Sequence, residues 1–182
     1  MAVRGTPIVF FRSEGTRYRS RLERADGVTI ELDGGGYNKV GGAVGRVPHD
    51  LAHFVVEDAL GLEQGLWGVI VAGGLFGHTA VVAGRQPPHA ARQAQAVVDA
   101  AGDRLSQAEM LTRAVSDLAR AERFRDVAGL ERALGDRWWK PGLTADQLQA
   151  ACIGLRTAAD GWAALAPGGS LERVWRLPLP RR

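Results

Sequence analysis

Thr16-Arg17-Tyr18-Arg19-Ser20-Arg21-Leu22-Glu23 leads through Arg24-Ala25-Asp26-Gly27 into Val28-Thr29-Ile30-Glu31-Leu32-Asp33. Both runs alternate with a period of two, the signature of strands with one charged face. Tyr18, Ser20 and Leu22 fall on one side, and Arg17, Arg19, Arg21 and Glu23 on the other. Asp26-Gly27 between the runs predicts a type I′ hairpin turn, whose central positions both require positive φ. With Pro7 to Arg12 ahead of them, residues 1–33 read as a three-stranded antiparallel meander.

Working outward, Gly34 to Gly45 holds six glycines in twelve residues and lacks the Lys-Ser/Thr ending of a phosphate loop. Residues 34–47 therefore read as a loop. It runs straight into Arg46-Val47-Pro48, so Tyr37, Asn38 and Lys39 at its middle make it either a lid over a site or a plain connector. Helices follow. Pro48 suits the first turn of one that runs to Leu60 and stops at Gly61. Others are expected over 89–101, over 106–124 from a Ser106-Gln107-Ala108-Glu109 capping box, over 127–134, and from a second box at Thr144-Ala145-Asp146-Gln147. Leu171, Arg173, Trp175 and Leu177 alternate with Glu172, Val174 and Arg176, giving a closing strand over 171–178. The expectation is one α+β domain, with a small antiparallel sheet of meander plus closing strand packed on about five helices at 48–165.

The 182 residues are 46% hydrophobic and 24% charged, which excludes a disordered chain and leaves enough to bury a core. A lone Cys152 excludes a disulfide scaffold and points to the cytoplasm; its apolar neighbours Ala151, Ile153 and Leu155 read as core. Net charge is only +3 and Lys39 and Lys140 are the sole lysines, so nucleic acid is not an expected partner. Arg17, Arg19 and Arg21 read as a solvated strand face. Gly65 to Gly84 carries no charge but is broken by six glycines, so it reads as a buried segment and not a membrane span. Trp138-Trp139 reads as an aromatic pair docking the short helix over 127–134.

Chemistry concentrates in residues 47–84, which hold Asp50, Glu57, Asp58 and Glu63 and not one Lys or Arg. Within Val47-Pro48-His49-Asp50-Leu51-Ala52-His53-Phe54-Val55-Val56-Glu57, the helical wheel puts His49, His53, Glu57 and Asp50 at about 0°, 40°, 80° and 100°. The rest of the wheel is almost wholly apolar, which marks a buried helix whose polar arc faces either water or an interior pocket. Two histidines four residues apart project from one face and can share a metal ion. Asp50 can then act on metal-bound water or substrate. Glu57 lies about 12 Å along the axis from His49, too far for easy ligation, but can accept the second ring N–H of His53. Glu57, Glu63 and His78 are the candidates for a third ligand.

His49-Asp50-x-x-His53 resembles the His-Asp-x-x-His motif of the metal-binding coenzyme Q biosynthesis family, helical proteins that act in modifying the quinone ring. That motif closes with a Glu at the position held here by Gly65. The longer string Pro-His-Asp-x-x-His-Phe-Val-Val-Glu, with Gly65-x-Trp67-Gly68, also resembles proteins of high-GC bacteria to which no activity attaches. The expected function is a small cytoplasmic metalloenzyme and candidate homodimer, with zinc on His49 and His53, Asp50 and Glu57 as catalytic residues, and a small organic substrate. The alternative is a non-catalytic binding or assembly domain whose 47–84 segment is core or oligomer interface.

Overall fold

Alternation of polar and apolar residues builds the sheet as expected. The computed structural model describes residues 5–35, 47–137 and 142–178. Strands β1 (Thr6–Arg12), β2 (Tyr18–Glu23) and β3 (Thr29–Gly35) form the meander. The C-terminal strand β5 (Ser170–Trp175) pairs antiparallel with β1, Ile8 facing Arg173 and Phe10 facing Leu171. A strand β4 (Thr79–Ala83) joins the far side of β3, giving the order β4-β3-β2-β1-β5. The fold is α+β: one five-stranded antiparallel sheet and six α-helices among the described residues.

Helices α1 (His49–Leu60), α2 (Leu66–Val71), α3 (Ala90–Ala101), α4 (Arg104–Arg120), α5 (Val127–Leu134) and α6 (Ala145–Ala164) complete it. The inner face of the sheet supplies Ile8, Phe10, Tyr18, Leu22, Ile30 and Leu32, all essentially inaccessible. Phe10 meets Phe54 of α1 and Trp67 of α2 edge-on, and Tyr18 meets Trp162 of α6 in the same way. These aromatic pairs tie three helices to one sheet face. Helix α1 also packs against α4 and α6, so it is buried on nearly every side. Cys152 lies in this core with its Sγ 3.8 Å from the Val115 carbonyl oxygen, and burial pushes its thiol up to about 11.

Four local expectations are corrected. At the β2–β3 hairpin only Gly27 has positive φ (77°); Arg24 O accepts from Gly27 N and Arg24 N donates to Val28 O. That is a three-residue loop, a type I turn followed by a left-handed glycine, and not a type I′ turn. Ser106-Gln107-Ala108-Glu109 is not a capping box: α4 already starts at Arg104, and the Ser106 hydroxyl donates to the Asp103 carbonyl oxygen. The helix ends at Arg120, short of Phe124. The uncharged 65–84 segment is buried chiefly over 65–70; β4 is a largely exposed edge strand. No helix of the described residues is long and apolar enough to cross a membrane. The second capping box is present, Thr144 Oγ1 accepting from Gln147 N and Gln147 Oε1 accepting from Thr144 N. The middle of the glycine-rich loop and Trp138-Trp139 lie outside the described residues; Gly34 belongs to β3, with the Tyr18 ring against it.

Candidate metal centre

Pro48, with its φ of −53°, leads into α1, so His49 and Asp50 occupy the first turn and His53 and Glu57 the next two. Helical spacing puts both imidazoles on one side, with ring centroids 4.4 Å apart. Their Nε2 atoms converge on a single oxygen of α4. His49 Nε2 lies 3.0 Å and His53 Nε2 2.8 Å from Glu109 Oε2.

Behind each ring stands a buried carboxylate. His53 Nδ1 is 2.9 Å from Glu57 Oε1, and His49 Nδ1 is 3.3 Å from Asp50 Oδ1. Glu57 is wholly inaccessible and its charge is held by backbone: Oε1 accepts from Leu66 N at 2.7 Å and Oε2 from Trp67 N at 3.0 Å. These are the first amides of α2, whose positive end favours a carboxylate. Gly61 ends α1, and the turn after it returns the chain so that α2 begins on the Glu57 side chain. Gly65 lies against that carboxylate, in the space a side chain would need. Asp50 accepts from the Tyr18 hydroxyl at 3.2 Å and the Ser20 hydroxyl at 3.0 Å, while Trp67 Nε1 donates to its carbonyl oxygen at 2.7 Å.

Electrostatics follow from this arrangement. Burial on its own would lower the His53 pKa, but hydrogen bonds and charge from Glu109 and Glu57 outweigh it and carry the group up to about 9. His49 moves the same way: burial opposes, while its bonds to Asp50 and Glu109 raise it. Glu109 is held far below the usual carboxylate range, first by its hydrogen bonds from His49 and His53. A protonated His53 donates from both ring nitrogens, Nδ1 to Glu57 and Nε2 to Glu109.

One ligand atom each from His49, His53 and Glu109 lies within 4.8 Å of the other two, so this cluster can hold a metal ion. His53 is 3% exposed, His49 18% and Glu109 49%, so the group opens to solvent on the Glu109 side. Of the residues expected from sequence, His49, Asp50, His53 and Glu57 are brought together. Asp50 and Glu57 lie on the Nδ1 side of the rings. Glu63 and His78 lie outside this cluster: Glu63 is exposed, and His78 is exposed and stacked on Phe76. Glu109 is the acid that stands against both histidines instead. Its Ser-x-x-Glu context reads as a helix cap; the signal for its inward placement is an acid adjoining the buried stripe Ala108, Leu111, Thr112 and Val115. Comparison with protein-family models, with curated proteins and with solved structures finds no match.

Proposed function

We propose that this protein is a small metalloenzyme that holds a divalent first-row cation, zinc above all, on His49 Nε2, His53 Nε2 and Glu109, and acts on a small organic substrate. The observation that carries this reading is the backing of both histidines. Each Nε2 points to a common carboxylate, and each Nδ1 is met by a buried one, the arrangement that fixes tautomer and orientation in metal-ligating imidazoles. Two nitrogens and one carboxylate suit zinc, and three protein ligands leave a position for substrate or water. A cation bound there would supply Lewis-acid chemistry.

The residues of this chain divide the remaining work. Glu57 and Asp50 orient the two imidazoles and balance the charge of the cation, acting as positioning residues and not as acid or base. Glu109 supplies the acid that the resemblance to the coenzyme Q family's motif would place at position 65. A small molecule is favoured over nucleic acid because the outer arginines are paired: Arg21 and Arg19 with Glu31, and Arg17 with Asp33. A second reading rests on the same contacts. The His–Glu109 ion pairs alone pin α4 to α1, which is all that a non-catalytic domain would need.

Elemental analysis of protein purified without a His tag, with zinc titration calorimetry, separates the two. The metalloenzyme reading expects one zinc per chain, lost in His53→Ala and Glu109→Ala. No binding in the native chain would leave only the ion-pair reading.

A further inference from the structure

We infer that Ser20 and Tyr18 are positioning residues of the metal centre, acting through Asp50 on His49; this rests on the metal reading. The inner face of the sheet is lined by Ile8, Phe10, Leu22, Ile30 and Leu32, and in their midst Ser20 is completely buried. A hydroxyl in such a place is costly unless it is hydrogen-bonded. It is bonded, and to a carboxylate: Asp50 Oδ2 at 3.0 Å. The Tyr18 hydroxyl, 2% exposed as a residue, takes the other oxygen at 3.2 Å.

The geometry explains why Asp50 needs these two donors. Neighbouring residues on a helix diverge by about 100° and do not face each other. Yet Asp50 Oδ1 lies 3.3 Å from His49 Nδ1. The sheet holds the carboxylate in that position, with Trp67 Nε1 fixing the same turn through the Asp50 carbonyl. His53 has its counterpart in Glu57, which the α2 amides fix through backbone alone. His49 is the more exposed of the two rings, so its orientation depends on side chains brought by β2. Burial and the Asp50 charge both push the Tyr18 phenol up, which keeps it a neutral donor.

The test is zinc affinity by chelator competition, together with the cobalt(II) absorption bands, for the native chain, Ser20→Ala, Tyr18→Phe, the double variant and Ser20→Thr. The double variant should bind zinc roughly tenfold more weakly and shift the cobalt bands. Ser20→Thr, which keeps a hydroxyl, should restore both. Ile30→Val, which trims the same sheet face, should leave the bands unchanged. If the double variant does not fold, the single variants decide, each with a smaller loss in the same direction. Native affinity and native bands in the folded Ser20 and Tyr18 variants would overturn the inference while leaving the metal reading intact. A native chain that binds neither zinc nor cobalt would overturn both.

Discussion

Gly65 and Glu57 meet so closely that a Cβ at position 65 would lie 2.3 Å from the Glu57 carboxyl carbon and 2.4 and 2.7 Å from its oxygens. That carboxylate cannot swing aside, because it accepts from His53, Leu66 N and Trp67 N. Gly65→Ala should therefore destabilise the fold by about 1–3 kcal/mol, the range for overpacking a tight interior. Urea denaturation measures it. A neutral substitution would show that Glu57 can relocate.

Removing the carboxylate should cost more. Glu57→Ala strips an acceptor from two amides of α2 and from a charged imidazole, all buried, and should cost about 3–5 kcal/mol. Glu57→Gln keeps an acceptor oxygen of the same reach and should recover part of the loss. Equal stability of the two variants would show that charge, and not hydrogen bonding, is what matters.

Glu109→Gln should act on the histidines before it acts on the fold. The Glu109 hydrogen bond ranks first among the effects that raise His53, so its loss should bring the ring down from about 9. NMR titration of the imidazole in metal-free protein reads this directly. On the metal reading, zinc affinity should fall at least tenfold in the same variant, since the proposed ligand oxygen has lost its charge.

The pH dependence has opposite signs in the two states. In metal-free protein the folded His53 pKa, about 9, lies above its ordinary value of 6.5. Its contribution to stability is complete below about 6.5 and is lost as pH rises towards 9. Glu109 is shifted downwards, so its share is present at neutral pH and disappears in acid. On the metal reading, zinc would have to displace ring protons, so its affinity should climb over the interval in which the metal-free protein weakens. Calorimetry at pH 7 in buffers of different ionisation enthalpy should show protons released on binding. Proton-independent binding would place the cation elsewhere.

Much of this was legible in sequence where one periodicity governs a whole element. The alternation of Tyr18 to Leu22 and of Val28 to Leu32 carries the sheet, and the apolar wheel of α1 carries its burial. The Glu57 contact with His53 follows from i, i+4 spacing and was readable on that basis. What failed was short or ambiguous. Glycines around α2 and β4 hide two elements of six and five residues, too brief for a period to show. Ser106-x-x-Glu109 fits a helix start, and only the packing of α4 on α1 reveals that Glu109 faces two histidines. The donors on Asp50 come from another strand, so no local pattern announces them.

Glu109 stands 56 residues beyond His53 in the chain. During synthesis from the N-terminus, both imidazoles leave the ribosome well before their shared carboxylate. A cation meeting the nascent chain at that stage finds two nitrogens on a single helical turn, a weak and unselective grip. On the metal reading, the full donor set exists only after α4 has docked on α1, so tight loading would be a late event that follows the packing of these two helices.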